Sequence, residues 1–388
     1  MRYPFRPFLT GLFALVIPVS MLVSTASAQT APAPDPAAQG GAAQTPPANP
    51  DAGFLNFFRG TELGGLADVY YEYFSTKQNA LFHAFDVDQN AFKVSMAEVW
   101  LTKAPAMDAP VGFKIRLNFG EAPRLMNFNE PNTDVLNVEE GFVSYMAPVG
   151  KGLQFDVGKF STTAGAEVIE AKDDWNYSRS LLFQNAIPLY HAGLRATYTV
   201  NDQVTLIGGV VNGWNDVTEN NTGKTVLATV NYKPIPALQL VENYIGGPEQ
   251  PNDNKDWRNL SDTMVMYTVN PMVQVMANYD YGHDTLNGAG QTWQGVAGYV
   301  KVQANKWVAV SPRVEWFKDA QGFMTGTAQQ LKDFTFTVEL KPADNFMWRI
   351  EYRGDFSDQS VFKSSDGTFG KNQQSIVLGL LYNFTTKP

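Results

Sequence analysis

The sequence predicts an all-β fold, a transmembrane antiparallel β-barrel of about sixteen strands, and three observations lead there. Segments of about ten residues with alternating apolar and polar side chains recur roughly every twenty residues after Gly65, the period of a strand wet on one face and apolar on the other. The chain opens with the layout of an export signal, yet no later stretch offers the roughly 18 uninterrupted apolar residues of a membrane helix. The connections between segments alternate between short turns and long polar loops, as they do at the two rims of a membrane barrel.

Taking the elements in order, Arg2 and Arg6 precede an apolar stretch from Phe8 to Val23 and then Ala26, Ser27 and Ala28. This is a secretory signal with cleavage expected after Ala28. Residues 1–28 are therefore assigned as signal peptide, 29–64 as an Ala/Pro-rich periplasmic tether and lead-in, and 65–388 as the barrel. From Gln29 to Pro50 the chain is too poor in apolar bulk to bury a core and reads as an extended tether. Phe54 to Phe58 reads as an interfacial anchor before the first strand, with a plug as the competing reading.

Strand centres are expected near Tyr70, Val99, Ile115, Val143, Phe155, Ala196, Leu206, Val230, Leu240, Met266, Ala277, Gly298, Val310, Phe336, Ile350 and Leu380. The clearest segment sets Phe346, Trp348, Ile350 and Tyr352 against Met347, Arg349, Glu351 and Arg353. Were the second set lipid-facing, each arginine near the midplane would cost roughly 2–4 kcal/mol, so the aromatic face must point outward. Short turns carry residues such as Asn201–Asp202 and Asn270–Pro271. Long connections are expected at Ser75 to Asn90, Gly120 to Thr133, Phe160 to Tyr190, Asn212 to Thr222, Gly246 to Asp256, Gly282 to Gly290, Lys318 to Gln329 and Asp355 to Gly370. An even strand count places both ends of the barrel in the periplasm. A barrel this wide encloses an aqueous lumen instead of filling itself with side chains.

Composition narrows the compartment and the partners. Cysteine is absent, which suits a barrel closed by hydrogen bonds in an oxidising periplasm. Without the signal's two arginines the chain has 27 basic against 38 acidic residues, a formal charge of −11, which argues against nucleic acid as a partner. The expected partners are outer-membrane lipid and small hydrophilic solutes, with a homotrimer as a candidate assembly. No cofactor and no metal are expected. Asp86, Asp88 and Asn90 imitate the start of a calcium loop, but Ala91 and Ala97 stand where such a loop needs Gly and Glu. His83, His191 and His283 sit in separate connections or strand ends, which favours neither a metal cluster nor a catalytic triad.

The third long connection is the candidate site. A loop of its length in a compact fold is usually functional. It carries Glu167, Glu170, Asp173 and Asp174 with Lys172, Arg179, Trp175 and Tyr177. Folded inward, its carboxylates would face basic residues at lumen-facing positions: Lys114, Arg116, Arg195, Arg313, Arg349 and Arg353. Opposed charges across a narrow opening would impose a transverse field that sorts solutes by charge and dipole. The competing reading leaves the loop on the rim with its charges solvated.

The run VGKFSTTAGAEVIEAKDDWNYSRSLLFQNAIPLYHAGLRATY from Val157 to Tyr198, with GGVVNGWN at Gly208, ANYDYG at Ala277, SPRVEWF at Ser311 and GFMTGTAQ at Gly322, resembles the OmpL-like β-barrel porin family. The likeness covers roughly Gly65 to Phe384 and is most specific at Glu170, Lys172, Asp173, Trp175, Asn176 and Tyr177. It implies an outer-membrane barrel. One departure bears on membrane assembly and not on the fold: outer-membrane barrels commonly end on an aromatic residue, whereas Thr385 to Pro388 follow Phe384 here.

The function expected is passive diffusion of small hydrophilic solutes or ions through a water-filled barrel narrowed by a charged loop, without enzymatic chemistry. The alternatives are a sugar-selective channel in which Trp175 and Tyr177 contact the ring, a structural tether working through residues 29–50, and a barrel hydrolase.

Overall fold

The computed structural model describes residues 60–126 and 136–386. The expected signal peptide, the tether up to residue 59 and the Phe54 to Phe58 patch lie outside the described residues. Sixteen strands close into one antiparallel barrel. They are β1 (Glu62–Phe74), β2 (Ala91–Lys103), β3 (Val111–Phe119), β4 (Leu136–Ala147), β5 (Leu153–Ser161), β6 (Tyr190–Thr199), β7 (Val204–Val211) and β8 (Thr225–Ile235). There follow β9 (Leu238–Pro248), β10 (Trp257–Asn270), β11 (Val273–Leu286), β12 (Ala289–Asn305), β13 (Val308–Asp319), β14 (Gln329–Ala343) and β15 (Phe346–Ser357). A small hairpin, β16 (Phe362–Lys363) and β17 (Phe369–Gly370), interrupts the last long loop before β18 (Asn372–Thr385). Each expected strand centre falls within its own barrel strand. β18 pairs with β1 from Gly64 opposite Thr385 to Phe74 opposite Ser375, so the barrel has no free edge.

The register follows the cost argument. Trp348, Ile350 and Tyr352 are 41 %, 46 % and 42 % exposed on the outer face, while Arg349, Glu351 and Arg353 are at most 1 % exposed inside. On β14, Phe334 and Phe336 face outward and Asp333, Thr335, Thr337 and Glu339 inward.

One expected long loop is absent. Between Gly282 and Gly290 the ladder of β11 and β12 runs on to Leu286 opposite Ala289, joined by Asn287 and Gly288 at φ of 52° and 78°. Two successive positive φ angles make the mirror-image turn that matches strand twist, and Asn-Gly is the pair that adopts it most readily. The polar residues read as loop belong to strands that continue beyond the apolar band.

Inside, the barrel is not uniformly polar. The helical turn α1 (Glu121–Met126) buries Ala122 and Met126. A second short helix, α2 (Leu181–Asn185), starts at Ser180, whose hydroxyl accepts from the Phe183 N–H at 3.0 Å. Leu181, Leu182 and Phe183 join Phe82 and Phe85 of the first loop, and Trp293, Phe317 and Leu331 of the wall, in one buried apolar cluster. Part of the lumen is therefore packed like a protein core.

Candidate functional site

Residues 162–189 leave β5 and return to β6 after contacting the inner wall of most other strands. At the start, the Gly165 N–H donates to Asp262 on β10 at 3.0 Å and the Ala166 N–H to Asn278 on β11 at 3.1 Å. Further on, the Leu181 N–H donates to Glu315 on β13, Asn176 to Thr337 on β14, and the Tyr177 and Ser178 N–H groups to the two oxygens of Glu351 on β15 at 2.6 and 2.9 Å. The Tyr177 hydroxyl donates to Asp68 on β1 at 2.8 Å. Its ring lies so close to β18 that a Cβ on Gly379 would stand 2.4 Å from it, which requires glycine there.

The inward-facing arginines of β13 and β15 lie beneath this loop instead of across an opening from it. Arg313 donates to the Ser178 carbonyl at 2.6 Å and pairs with Glu167 at 3.0 Å. Arg349 donates to the carbonyls of Ala171, Asp174 and Asn176 and pairs with Glu339 at 2.7 Å. Arg353 donates to the Arg179 carbonyl at 2.7 Å and to the Phe82 carbonyl at 3.2 Å, and pairs with Asp333 and Asp355. All three are at most 1 % exposed. Of the bases expected to face the loop's acids, Arg313 does so through Glu167, whereas Arg349 and Arg353 meet wall acids and loop carbonyls instead; a planar guanidinium satisfies several carbonyls at once, so these three are buried as fasteners.

The other three bases lie on the opposite wall. Lys114 pairs with Glu140. Arg116 is surrounded by Glu98, Glu139, Glu140 and, from the loop, Glu170. Arg195 pairs with Asp156 at 2.9 Å and lies 4.4 Å above the Phe160 ring. Between this wall and the loop lies a cavity of about 330 Å³ bordered by Lys114, Arg116, Glu140, Val168, Glu170 and Asp173.

The loop's own residues divide in the same way. Glu167 is held by Arg313 and by the Ser180 N–H at 2.6 Å. Asp174 accepts from the Val168 N–H at 2.9 Å and lies 3.3 Å from Arg179; burial pushes its carboxyl up to about 7 despite that guanidinium. Burial and the neighbouring Asp68 carboxylate push the Tyr177 phenol well above its ordinary range. Arg179 donates to the carbonyls of Val168, Ile169 and Tyr177. Trp175 packs edge-on against Tyr299, 6.5 Å between ring centres. Glu170 and Asp173 border the cavity, and Lys172 pairs with Asp173. Buried Tyr177 and half-buried Trp175 offer no open stacking face of the kind the sugar-channel reading needs.

The sequence reading missed His83. Its ring is buried, with Nδ1 2.8 Å from Asp86 and Nε2 3.0 Å from Asp355. Burial and the nearby Arg353 charge oppose protonation, yet the two carboxylates prevail and raise it to about 10. In return His83 helps hold the Asp86 carboxyl below its usual range, against the effect of burial. The partner Asp355 is remote in sequence, so only spacing to Asp86 could have hinted at the pair. Asp88, the next member of the calcium-like run, pairs with Lys93 at 2.8 Å, and Asn90 accepts from Tyr71. Among the described residues two acidic groups bring possible metal-ligand atoms within 4.8 Å, Glu72 with His83 and Asp86, and Glu98 with Glu139 and Glu170. In each a cationic side chain of the protein, His83 or Arg116, already faces the carboxylates.

The geometry can be set beside known proteins. Residues 60–384 match the family described as "Putative beta-barrel porin-2, OmpL-like". No curated protein matches the sequence. Among solved structures, the anion-selective porin from Comamonas acidovorans is similar with a TM-score of 0.61 at 9 % identity, over 84 % of this chain and 99 % of that one. The outer membrane channel DcaP of Acinetobacter baumannii gives 0.56 at 14 % identity, over 84 % and 97 %. OmpT of Vibrio cholerae, folded in vitro and described in a trimer form, gives 0.56 at 10 % identity, over 84 % and 99 %. At such identities these likenesses carry the fold alone, whereas the family match spans most of the sequence. The chain belongs to the OmpL-like β-barrel porin family and is an outer-membrane porin channel.

Proposed function

We propose that this porin passes small hydrophilic solutes and ions by passive diffusion, along a route bounded by residues 162–173 on one side and the inner wall of β3 to β5 on the other. The observation that carries this reading is the asymmetry of fastening. Backbone amides of the loop are tied to acids of β10, β13 and β15, and its carbonyls to three buried arginines. The cavity at Lys114, Arg116, Glu170 and Asp173 remains on the other side.

Charge on this route favours cations modestly. The cavity is bordered by Lys114 and Arg116 against Glu140, Glu167, Glu170 and Asp173, and charges in a confined, partly desolvated passage are screened less than on an open rim. The anion preference named for the Comamonas relative does not extend to this chain. We read no enzymatic step into the site: His83 carries carboxylates on both ring nitrogens, and His191 a backbone carbonyl and Thr162, an arrangement that supports packing roles. Residues 1–28 as a cleaved signal, 29–61 as a periplasmic tether leading into β1, which begins at Glu62 and not at the expected Gly65, and a homotrimeric assembly complete the proposal. Purified protein in planar bilayers tests it. Discrete channel steps in KCl with a cation-side reversal potential at low salt are expected, and absence of steps from a heat-modifiable, folded barrel overturns it.

A further inference from the structure

The cavity beside the loop has a chemistry that goes further than ion preference, and from it we infer a subsite for small zwitterions such as free amino acids. This inference rests on the route proposed above. Its volume of about 330 Å³ stands near the lower end of the roughly 300–1,000 Å³ typical of small-molecule sites, so it suits a solute of few heavy atoms. Its border carries both signs of charge. Lys114, whose side chain is 23 % exposed, commits its ammonium to Glu140, and an ammonium has three donors, so two remain for a solute carboxylate. Asp173, whose side chain is 54 % exposed, holds Lys172 through one oxygen, and a carboxylate accepts at about four sites, so the rest can take a solute ammonium.

The border also carries apolar side chains among its polar ones. Val168 is 45 % exposed, and Phe183 and Leu189 border the same cavity. An α-amino acid presents a carboxylate, an ammonium and a short apolar group around one carbon. An ester loses the first, an N-acetyl derivative the second, and each then leaves a partly desolvated charge of the passage without its partner. A sugar of similar size offers neither charge.

The test separates this inference from the reading beneath it. KCl conductance is recorded first, and liposome swelling is then measured with leucine, leucine methyl ester, N-acetyl-leucine and a neutral pentose at pH 7. Leucine is expected to enter at least roughly threefold faster than either singly charged derivative and faster than the pentose, as one retained charged hydrogen bond allows. The double variant Lys114→Gln with Asp173→Asn should abolish that preference, so that leucine, its ester and its N-acetyl derivative enter within about twofold of one another. Both residues are partly exposed, and the wild-type comparison requires no variant. Entry of leucine no faster than its derivatives through a conducting channel overturns the subsite alone; preferred entry of the pentose does so in favour of a sugar route. Absence of KCl current overturns the passage itself.

Discussion

Two stretches of inner wall present the same residue type and use it oppositely. On β13 and β15, Arg313, Arg349 and Arg353 are at most 1 % exposed and donate to loop carbonyls. On β3 and β6, Arg116 and Arg195 keep 13 % and 17 % of their side chains exposed and pair with wall acids, Arg116 at the border of the cavity. What separates them is whether loop backbone comes within reach. A guanidinium that meets several carbonyls becomes part of the packing, and one that meets carboxylates beside water remains part of the field a solute crosses. An arginine inside a barrel is therefore no evidence of a pore charge until its acceptors are known.

The largest expected effect comes from unfastening the loop. Arg349→Ala removes one partner of a buried pair together with the donor to three loop carbonyls, a loss of about 3–5 kcal/mol. It should lower the thermal unfolding midpoint, raise single-channel conductance and make residues 162–189 sensitive to protease. Unchanged conductance would mean that the loop keeps its place without the arginines, and the comparison would lose its first half.

The next effect sharpens the second half. Neutralising Glu170 and Asp173 should move the reversal potential toward anions, and Lys114→Gln toward cations, each by about two- to fivefold in permeability ratio at low salt. Both shifts should shrink as the Debye length falls from about 10 Å at 0.1 M to about 3 Å at 1 M. Lys114→Gln, at a partly exposed ammonium, should move thermal stability less than Arg349→Ala does.

A smaller effect concerns the first loop, tied by His83 to β15. A histidine raised from 6.5 to about 10 contributes stability fully below its unfolded value, lost as pH rises through about 10. Conductance should therefore stay constant from pH 7 to 9 and change above 10, and His83→Gln should show the high-pH behaviour already at pH 8. The smallest effect is at Asp174. Raised to about 7 by burial, its neutral form is the stable one, and its contribution is lost as pH rises through that value. Asp174→Asn keeps an acceptor for the Val168 N–H and should unfold no earlier than the parent at pH 8.

The strands were legible because lipid imposes one demand on every one of them: alternate residues must be apolar whatever lies inside, so Ile350 and Phe336 mark their strands without knowledge of any neighbour. The β11–β12 hairpin escaped because that demand ends where the strands leave the membrane. There only Asn287-Gly288 spoke for a turn, and Asp284, Thr285 and Asn287 read as loop. In the third loop the acidic cluster was visible, but its division was not. Glu167 meets Arg313, Glu170 meets Arg116 and Asp174 meets Arg179, while Asp173 stays exposed at the cavity, and no periodicity tells such residues apart in irregular backbone. Arg349 and Arg116 likewise occupy the same kind of inward position, and only the course of the loop assigns them different work.

On the proposed route solutes pass on the β3 to β5 side of the loop and not on the β13 to β15 side. The chain has no cysteine, so single cysteines can be placed at Lys114, beside the cavity, and at Thr335, fully buried beneath the loop on β14. A charged, membrane-impermeant thiol reagent applied to open channels should step the current down within seconds in Lys114→Cys and leave Thr335→Cys unmodified. Modification of Thr335→Cys as fast as Lys114→Cys, with a comparable drop in current, would contradict the account.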